Sequence, residues 1–139
     1  MEDKNEKFEL FYSKAKAYYE QGNLKEALRF AKKANKLHRI DKSKLWCEDS
    51  SFLRLVAAIY AQMGDVKNYC WVEFRISELN PNDFEQYATS ASAFEEWGSL
   101  NMALQQYKKA IEVANKQGCG EDAIVDVCYE HILRIENGQ

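Results

Sequence analysis

Apolar residues recur along most of the chain at spacings of three and four, the period of an α-helix that buries one face. The pattern predicts helices at 7–21, 23–40, 50–63, 65–79, 83–97, 99–117 and 121–136. Residues 1–6 are expected to form a loose, charged lead-in. Because Leu37 and Ile40 continue the apolar spacing, an extended second helix followed by a loop that holds Trp46 is favoured over a longer loop through residues 36–49.

One short pattern occurs three times along these helices. An aromatic residue stands four positions before a glycine, an alanine seven before it and a large apolar residue eleven before it. The three copies contain the segments YYEQGNLKEALRFAKKA, YAQMGDVKNYCWVEFRI and FEEWGSLNMALQQYKKA. The glycines are Gly22, Gly64 and Gly98, and the residues that follow them are Asn23, Asp65 and Ser99. The chain is therefore built from an internal repeat.

The repeated glycine predicts a turn between two helices. Glycine ends a helix because it adopts the left-handed conformation without a Cβ clash. Asn, Asp or Ser directly after it can accept hydrogen bonds from the free N–H groups of the next helix. In the segment LNPND, Pro81 ends one helix, and Asn82 with Glu85 predicts a capping-box start for the next. The helix at 121–136 lacks the glycine turn and is expected to cap the last repeat.

A helix–turn–helix of 34 residues with these side chains resembles the tetratricopeptide repeat. That family adds small residues five and twelve positions after the glycine and an aromatic residue nine after it. The third copy matches best, with Ala103, Tyr107 and Ala110. The first copy has Ala27, Ala31 and Ala34 at these positions, and the second departs most, with Tyr69, Glu73 and Ile76. The tyrosine at a small-residue position predicts looser packing or a shifted register in the second helix pair.

The resemblance implies an all-α fold, a right-handed superhelix (α-solenoid) of antiparallel helix pairs with about seven helices. It implies one domain over 1–139, with repeats at 8–49, 50–83 and 84–117 followed by the capping helix at 121–136. Because such modules take part in many processes, the resemblance is more informative about the fold than about the function.

In this family the first helices of successive repeats line a concave groove that holds a peptide or a partner helix. The resemblance places these residues in the groove: Glu9, Tyr12, Ser13, Lys16, Tyr19, Ser51, Arg54, Leu55, Ala58, Gln62, Glu85, Ala88, Thr89, Ser92 and Glu95. Lys16 and Arg54 are basic, whereas Glu85, Glu95 and also Glu96 make the far end acidic. We expect a partner segment that is acidic near Arg54 and basic near Glu95; the alternative is that these side chains are merely solvated.

One subgroup of the family clamps the C-terminal carboxylate of heat-shock chaperones with Lys, Asn and Arg side chains. The corresponding positions here are Tyr12, Lys16, Leu55, Glu85 and Thr89. Only Lys16 is basic, and Glu85 would repel a carboxylate. A co-chaperone of this kind is therefore disfavoured.

Charge is distributed unevenly along the chain, whose net charge is −3. Residues 1–44 hold twelve Lys/Arg and seven Asp/Glu, a net of +5, and residues 45–139 hold seven and fifteen, a net of −8. The basic residues crowd into the second helix, where His38 is expected to belong to the same solvated face. A solvated surface is the simplest interpretation of this helix, and docking to an acidic partner, an anionic lipid or a nucleic acid is the alternative.

Candidate catalytic and metal-binding residues are few. The chain has no glycine-rich phosphate loop, and its four cysteines form no CxxC pair, so neither a cofactor nor a metal is expected. Cys119 precedes a helix but has no histidine that can be placed beside it. His131 lies on the apolar stripe of the capping helix and is expected to be a partly buried, hydrogen-bonded side chain. We therefore expect that the chain is not an enzyme.

The favoured function is a non-catalytic protein–protein interaction module that binds a peptide or helix of a partner, as an adaptor, scaffold or assembly chaperone. In size and repeat number the chain is also similar to the translocator chaperones of bacterial secretion systems. The alternatives are self-association into homo-oligomers through exposed aromatics such as Trp46 and Trp71, and binding of nucleic acid or lipid through the basic helix 24–44, which the modest net charge disfavours. No small-molecule substrate is expected. The charged start of the chain and the lack of a long apolar run favour a cytoplasmic protein without a membrane span.

Overall fold

The structure, a computed structural model, describes residues 3–39 and 45–138. Within these ranges the chain forms seven helices and no strand. The helices are α1 (Lys4–Glu20), α2 (Leu24–His38), α3 (Ser50–Met63), α4 (Val66–Leu79), α5 (Phe84–Trp97), α6 (Leu100–Lys116) and α7 (Ala123–Glu136). The predicted all-α fold is confirmed, and the observed helix ends lie close to the predicted ones. The predicted continuation of α2 through Ile40 lies outside the described residues.

The first helix begins earlier than predicted. The side chain of Asp3 accepts a hydrogen bond of 2.8 Å from the backbone N–H of Glu6 and caps α1. Asp is a favourable capping residue, and an acidic side chain in the first turn complements the helix dipole. The prediction of a loose lead-in is therefore wrong for residues 4–6.

The predicted glycine turns are present. Gly64 and Gly98 end α3 and α5 with φ angles of 74° and 95°, in the left-handed region that other residues rarely adopt. The predicted start of α5 is wrong by one residue, because Asp83 and not Asn82 caps the helix. The Asp83 side chain accepts a hydrogen bond of 3.1 Å from the backbone N–H of Gln86.

The helices fall into two compact units, Met1–Asp65 with α1 to α3 and Val66–Gln139 with α4 to α7. The division lies inside the second predicted repeat, between its glycine turn and its second helix. The organisation as one domain with three repeats stays a prediction.

In the first unit, small residues let α1 and α2 pack closely. Their contact contains four fully buried alanines, which are Ala15, Ala27, Ala31 and Ala34. Phe8 of α1 packs against Phe52 of α3, with ring centroids 5.4 Å apart. The family's aromatic position is an alanine in this repeat, and the buried aromatic rings of this unit include Phe8, Phe52 and Phe30 at other positions of α1, α3 and α2.

The loop before α3 is fixed to α2 by one buried side chain. The amide of Asn35 donates a hydrogen bond of 2.8 Å to the carbonyl of Leu45 and accepts one of 2.6 Å from the N–H of Cys47. Trp46, between these two residues, is only 7% exposed. The prediction of a loop that holds Trp46 is confirmed, whereas the prediction of Trp46 as an exposed aromatic for self-association is wrong.

His38 does not belong to a solvated basic face. Its ring stacks on Phe8 with centroids 3.7 Å apart, and its Nε2 lies 3.0 Å from Oδ1 of Asn5. The prediction is wrong because His38, the last residue of α2, lies beside the first turn of α1.

The second unit has a continuous apolar core contributed by all four of its helices. The three residues that match the family best, Ala103, Tyr107 and Ala110, are buried in it. Val125, Cys128 and Ile132 of α7 join the same core. The last helix therefore packs on this core, and its role as the cap of three repeats stays a prediction.

Polar side chains are also buried in the second unit. Glu73 occupies the position where the family has an aromatic residue, and it is 7% exposed. Its carboxylate accepts a hydrogen bond of 2.6 Å from the amide of Gln86, and its carbonyl accepts a second of 3.0 Å. Because buried carboxylates are costly unless they are hydrogen-bonded, Gln86 compensates for this departure from the repeat pattern.

Trp71 and Trp97 lie side by side at the contact between α4 and α5, with ring centroids 6.2 Å apart. Both also contact the buried ring of Phe94. Their rings therefore pack at the contact of α4 with α5. They remain 42% and 39% exposed.

Candidate partner-binding cleft

A cleft of about 430 Å³ lies between α5 and α7 of the second unit. We call it the α5–α7 cleft. Its lining residues are Tyr69, Glu85, Ala88, Thr89, Ser92, Ala93, Glu96, Tyr107, Ile124, Val127, Cys128 and His131. None of these lining residues is Lys or Arg, so the described lining carries no cationic side chain apart from the histidine.

One wall is the exposed face of α5. The core takes residues such as Tyr87, Ala91 and Phe94 on the opposite face of this helix. The remaining stripe has small side chains in the middle and a carboxylate at each end, Glu85 and Glu96. Because the side chains in the middle are small, a bound segment can come close to the backbone of α5. The carboxylates of Glu85 and Glu96 make both ends of this wall acidic.

The other wall is apolar and belongs to α7. Ile124, Val127, Cys128 and His131 follow one another at helical spacing and border the cleft. Val127 is 48% exposed in this wall, while Val125 and Cys128 beside it are buried; Tyr129 and Leu133 of the same helix are also exposed, but outside the cleft. The cleft therefore presents unpaired apolar surface on one side and carboxylates on the other.

A hydrogen-bond network holds α7 in place at the edge of the cleft. The carboxylate of Glu95 accepts a hydrogen bond of 2.9 Å from the hydroxyl of Tyr107 and lies 2.8 Å from Nδ1 of His131. Arg134 contributes an ion pair to the same carboxylate. The His131 ring also stacks on Tyr107 at 5.0 Å. The prediction of a partly buried, hydrogen-bonded His131 is confirmed.

The network changes the acidity of its members. Burial by itself would raise the pKa of Glu95, but the hydrogen bonds from Tyr107, Arg134 and His131 lower that pKa below its ordinary value. Burial, followed by the hydrogen bond to Glu95, raises the pKa of Tyr107. Glu95 is thus a carboxylate whose charge is compensated by α6 and α7.

The environment of the cleft is acidic. The second unit contains six Lys/Arg and twelve Asp/Glu, a net charge of −6. Burial raises the pKa of Tyr69, and the carboxylates of Glu73 and Glu96 raise it further. An occupant with positive charge would be favoured at this site.

Four of the five groove residues predicted on α5 line the cleft, namely Glu85, Ala88, Thr89 and Ser92. The fifth, Glu95, is not among the lining residues. The prediction that its charge faces a basic partner is wrong, because Tyr107, His131 and Arg134 already contact its carboxylate.

The groove residues predicted in the first unit lie on the surfaces of α1 and α3. Glu9, Ser13, Lys16, Ser51, Arg54 and Gln62 are exposed, and Tyr12, Tyr19, Leu55 and Ala58 are half-buried. Tyr12 packs edge-on against Phe8 and Phe52, with centroids 5.8 and 5.5 Å away. A continuous groove that includes these residues and those of α5 stays a prediction.

The α7 wall was missed by the sequence analysis. Ile124, Val127 and Cys128 have the helical spacing of an apolar stripe, which by itself predicts packing on the last repeat and not a partner-binding wall. A helical wheel carries the missing signal, because Val127 lies at the border of that stripe, whereas Val125, Cys128 and Ile132 lie at its centre. Tyr69 was noted only as a departure from the family pattern.

The described part of the chain offers neither a metal site nor a membrane-spanning helix. In residues 3–39 and 45–138, no group of three or more His, Cys, Asp or Glu side chains is arranged to hold a metal ion. None of the helices within those ranges is both long and apolar enough to cross a membrane. The four cysteines are free thiols, of which Cys119 is half-buried and the other three are buried.

Comparison with known proteins identifies similar structures and no sequence relatives. No protein-family model matches the chain. No curated protein matches it either. The structure of PcrH in complex with the chaperone binding region of PopB is similar, with a TM-score of 0.59 and 14% identity over 89% of this chain and 93% of that chain. The structure of MamA has a TM-score of 0.58 and 14% identity over 94% of this chain and 79% of that chain. These likenesses show that the chain has a helical-repeat fold similar to that of tetratricopeptide repeat proteins.

Proposed function

We propose that the chain is a non-catalytic protein-interaction module and that the α5–α7 cleft binds a segment of a partner protein. The observation that carries this proposal is Val127, an apolar side chain that is 48% exposed in the wall of a cleft. Exposed apolar surface in a concave site is typical of a binding site. PcrH, which has a similar fold, forms a complex with the chaperone binding region of PopB, and this supports a protein segment as the occupant.

The chemistry of the two walls defines the segment. An apolar side chain of the partner contacts Ile124 and Val127, where it removes apolar surface from water. A lysine or arginine next to it in the partner pairs with Glu85 or Glu96. The partner segment at this cleft is therefore apolar with flanking basic residues.

The exposed faces of α1 and α3 form a second proposed contact surface. Lys16 and Arg54 give it a basic character, and half-buried Tyr12 adds an aromatic surface of the kind that often dominates binding energy. Carboxylates of a partner would be attracted to the basic side chains of this surface.

A cytoplasmic location belongs to the same proposal and is supported by the four free cysteines.

The test of the cleft compares two substitutions on one helix. Val127→Glu places a carboxylate in the apolar wall, whereas Leu133→Glu places the same side chain on a 60% exposed position of α7 that does not line the cleft. The probes are synthetic peptides with a central leucine flanked by lysines, measured by fluorescence anisotropy. We expect the unsubstituted chain and Leu133→Glu to bind and Val127→Glu to lose binding, with equal helix content by circular dichroism.

Equal affinity of the Val127→Glu and Leu133→Glu chains would remove the cleft as the binding site. If no peptide of this composition bound the unsubstituted chain, the assigned chemistry of the segment would be wrong. For the second surface, Tyr12→Ala combined with Arg54→Glu weakens binding of an acidic partner peptide. Unchanged binding by this folded double variant would contradict that surface.

Self-association is a second candidate function, and the half-exposed pair Trp71 and Trp97 favours it. Aromatic side chains that are exposed together are enriched at protein interfaces. Light scattering over a wide concentration range tests it. A dimer that becomes a monomer after Trp71→Ser would support this function, whereas a monomer at all concentrations would eliminate it.

A further inference from the structure

The exposed face of α2 carries a stripe of four cations. Lys25, Arg29, Lys32 and Lys36 follow one another at i, i+4, i+7 and i+11, so they lie on one line along the helix, opposite the buried Ala27, Ala31 and Ala34. The line is about 16 Å long at 1.5 Å per residue. We call these four residues the α2 stripe.

Like charges at this spacing destabilise a helix. Within the described residues, Arg29 has an ion pair, with Glu26 at 2.7 Å, and Lys25, Lys32 and Lys36 have none. Among the described residues, three of the four cations of the stripe therefore have no carboxylate partner.

The second helix of the third repeat provides an internal comparison. Each of the three lysines of α6 lies within 4 Å of a carboxylate: Lys108 at 3.4 Å from Glu136, Lys109 at 3.6 Å from Glu112 and Lys116 at 3.1 Å from Glu112. The lysines of α6 are therefore paired with carboxylates, whereas those of the α2 stripe are not. Solvation alone does not explain why the two helices differ in this pairing.

A second group of cations borders the stripe. The Nζ atoms of Lys14 and Lys33 and the guanidinium of Arg29 lie 5.3, 5.1 and 4.5 Å from the centre of the Phe30 ring. Attraction to the ring holds these three charges together beside the stripe. Positive potential is therefore concentrated where α1 meets α2.

We propose that the α2 stripe binds an acidic segment of a partner protein, at a surface in the first unit that is separate from the α5–α7 cleft. A helix with glutamates at the same i, i+4, i+7 and i+11 spacing presents one carboxylate to each cation of the stripe. Opposite charges in register give such a contact its orientation and a fast association rate.

The structure favours a protein segment over a nucleic acid. Single-stranded nucleic acids bind by stacking their bases on open aromatic rings, in addition to phosphate contacts. Phe30 is only 7% exposed, because Tyr18 stacks on it at 5.5 Å and the cations surround it. No open ring accompanies the stripe on α2.

The experiment uses two variants with the same change in net charge. The stripe variant has Lys25→Gln, Lys32→Gln and Lys36→Gln, and the control variant has Lys108→Gln, Lys109→Gln and Lys116→Gln on α6. Glutamine is close to lysine in helix propensity, so both chains keep their fold. The probe is a synthetic helical peptide with glutamates at the stripe spacing, measured by isothermal titration at low and moderate salt.

We expect the stripe variant to bind the peptide about tenfold more weakly than the unsubstituted chain, which corresponds to about 1.4 kcal/mol. The control variant should bind within a factor of about two, and added salt should weaken binding by the unsubstituted chain more than by the stripe variant. Equal weakening of both variants would show a general charge effect and overturn the proposal.

Two further probes distinguish other occupants. A short oligothymidylate and vesicles that contain phosphatidylserine carry negative charge without the spacing of the peptide. Binding of either probe more tightly than the peptide would overturn the assignment to a protein segment. The assignment would be supported if both probes bound more weakly than the peptide and if the stripe and control variants lost this weak binding equally.

Discussion

The hydroxyl of Tyr107 lies 2.9 Å from the carboxylate of Glu95 and donates a hydrogen bond to it. Tyr107 belongs to α6 and Glu95 to α5, and both contact His131 of α7. One carboxylate therefore connects three helices of the second unit. The same residues lie at the edge of the proposed binding cleft, so the stability of this unit and the shape of the cleft depend on them together.

Replacing Tyr107 by phenylalanine should lower the free energy of unfolding by about 2 kcal/mol, because the buried ring remains and the hydrogen bond to a charged acceptor is lost. Urea unfolding followed by circular dichroism measures the change. Tyr129→Phe is the matched control, since Tyr129 is 50% exposed, and its effect should stay within about 0.5 kcal/mol. Equal effects at the two positions would show that the hydrogen bond contributes nothing.

Replacing Glu95 by glutamine should make stability less dependent on pH. The pKa of Glu95 is lowered in the folded chain, so its charge stabilises the fold in full above its ordinary value of 4.5, and this contribution disappears as the pH falls through the lowered pKa. The variant should be less stable at neutral pH, and the difference should shrink in acid. Urea midpoints measured from neutral pH to about pH 3 test this.

A substitution of the exposed Glu130 by glutamine is the control for this series, because Glu130 lies on α7 outside the cleft. Its midpoint should follow that of the unsubstituted chain at every pH. If the difference between Glu95→Gln and the unsubstituted chain were constant across the range, the charge of Glu95 would have no role in stability.

The fold was predictable from the sequence because its signals are local. Gly64 and Gly98 mark turns by their backbone, and the alanines mark close helix contacts, so both could be recognised before any contact was known. The burial of Glu73 could not be predicted in this way. Its partner Gln86 is thirteen residues away on another helix, and only the packed structure brings the two together.

Replacing Asn35 by alanine should release the loop that holds Trp46. The N–H of Cys47 and the carbonyl of Leu45 both lose their partner, so the free energy of unfolding should fall by about 2 kcal/mol. The fluorescence of Trp46 should shift to longer wavelength as its ring meets water. The measurement uses a background in which Trp71 and Trp97 are phenylalanine.

Asn101→Ala, at an exposed position of α6, is the control for the loop experiment. It should change neither the emission wavelength nor, beyond about 0.5 kcal/mol, the stability. An unshifted spectrum for Asn35→Ala would mean that other contacts of Trp46, with Phe52 and Tyr60, are sufficient to hold the loop.

The four thiols should react with a disulfide reagent in two phases. Burial raises the pKa of Cys47, Cys70 and Cys128 to about 11, so these three thiols are protonated and shielded at about pH 8. Cys119 is half-buried and should react first. Cys119→Ser should remove the fast phase. In denaturant, the other three thiols should react at the rate of the fast phase. A fast phase of two or more thiols in the folded chain would contradict this.

The candidate site was less predictable than the fold. The register of α5 predicts that Glu85, Ala88, Thr89 and Ser92 share one face, because a helix fixes which residues lie together, and all four line the cleft; their role in binding stays a prediction. The contribution of α7 depends on how that helix is rotated against α5 and α6. The spacing of its apolar residues does not specify this rotation, so the contact of Glu95 with His131 and the exposure of Val127 in the cleft could not be predicted.

The last helix has two roles, since Val125, Cys128 and Ile132 complete the core and Ile124 and Val127 border the cleft. A molecule that fills the cleft would therefore slow the exchange of backbone amide hydrogens along α7, including those on its buried side. At a concentration a hundred times its dissociation constant, a ligand that binds only the folded state stabilises that state by about 2.7 kcal/mol. The rate of amide hydrogen exchange along α7 therefore reports whether the cleft is occupied, and it can be measured without knowing the identity of the partner.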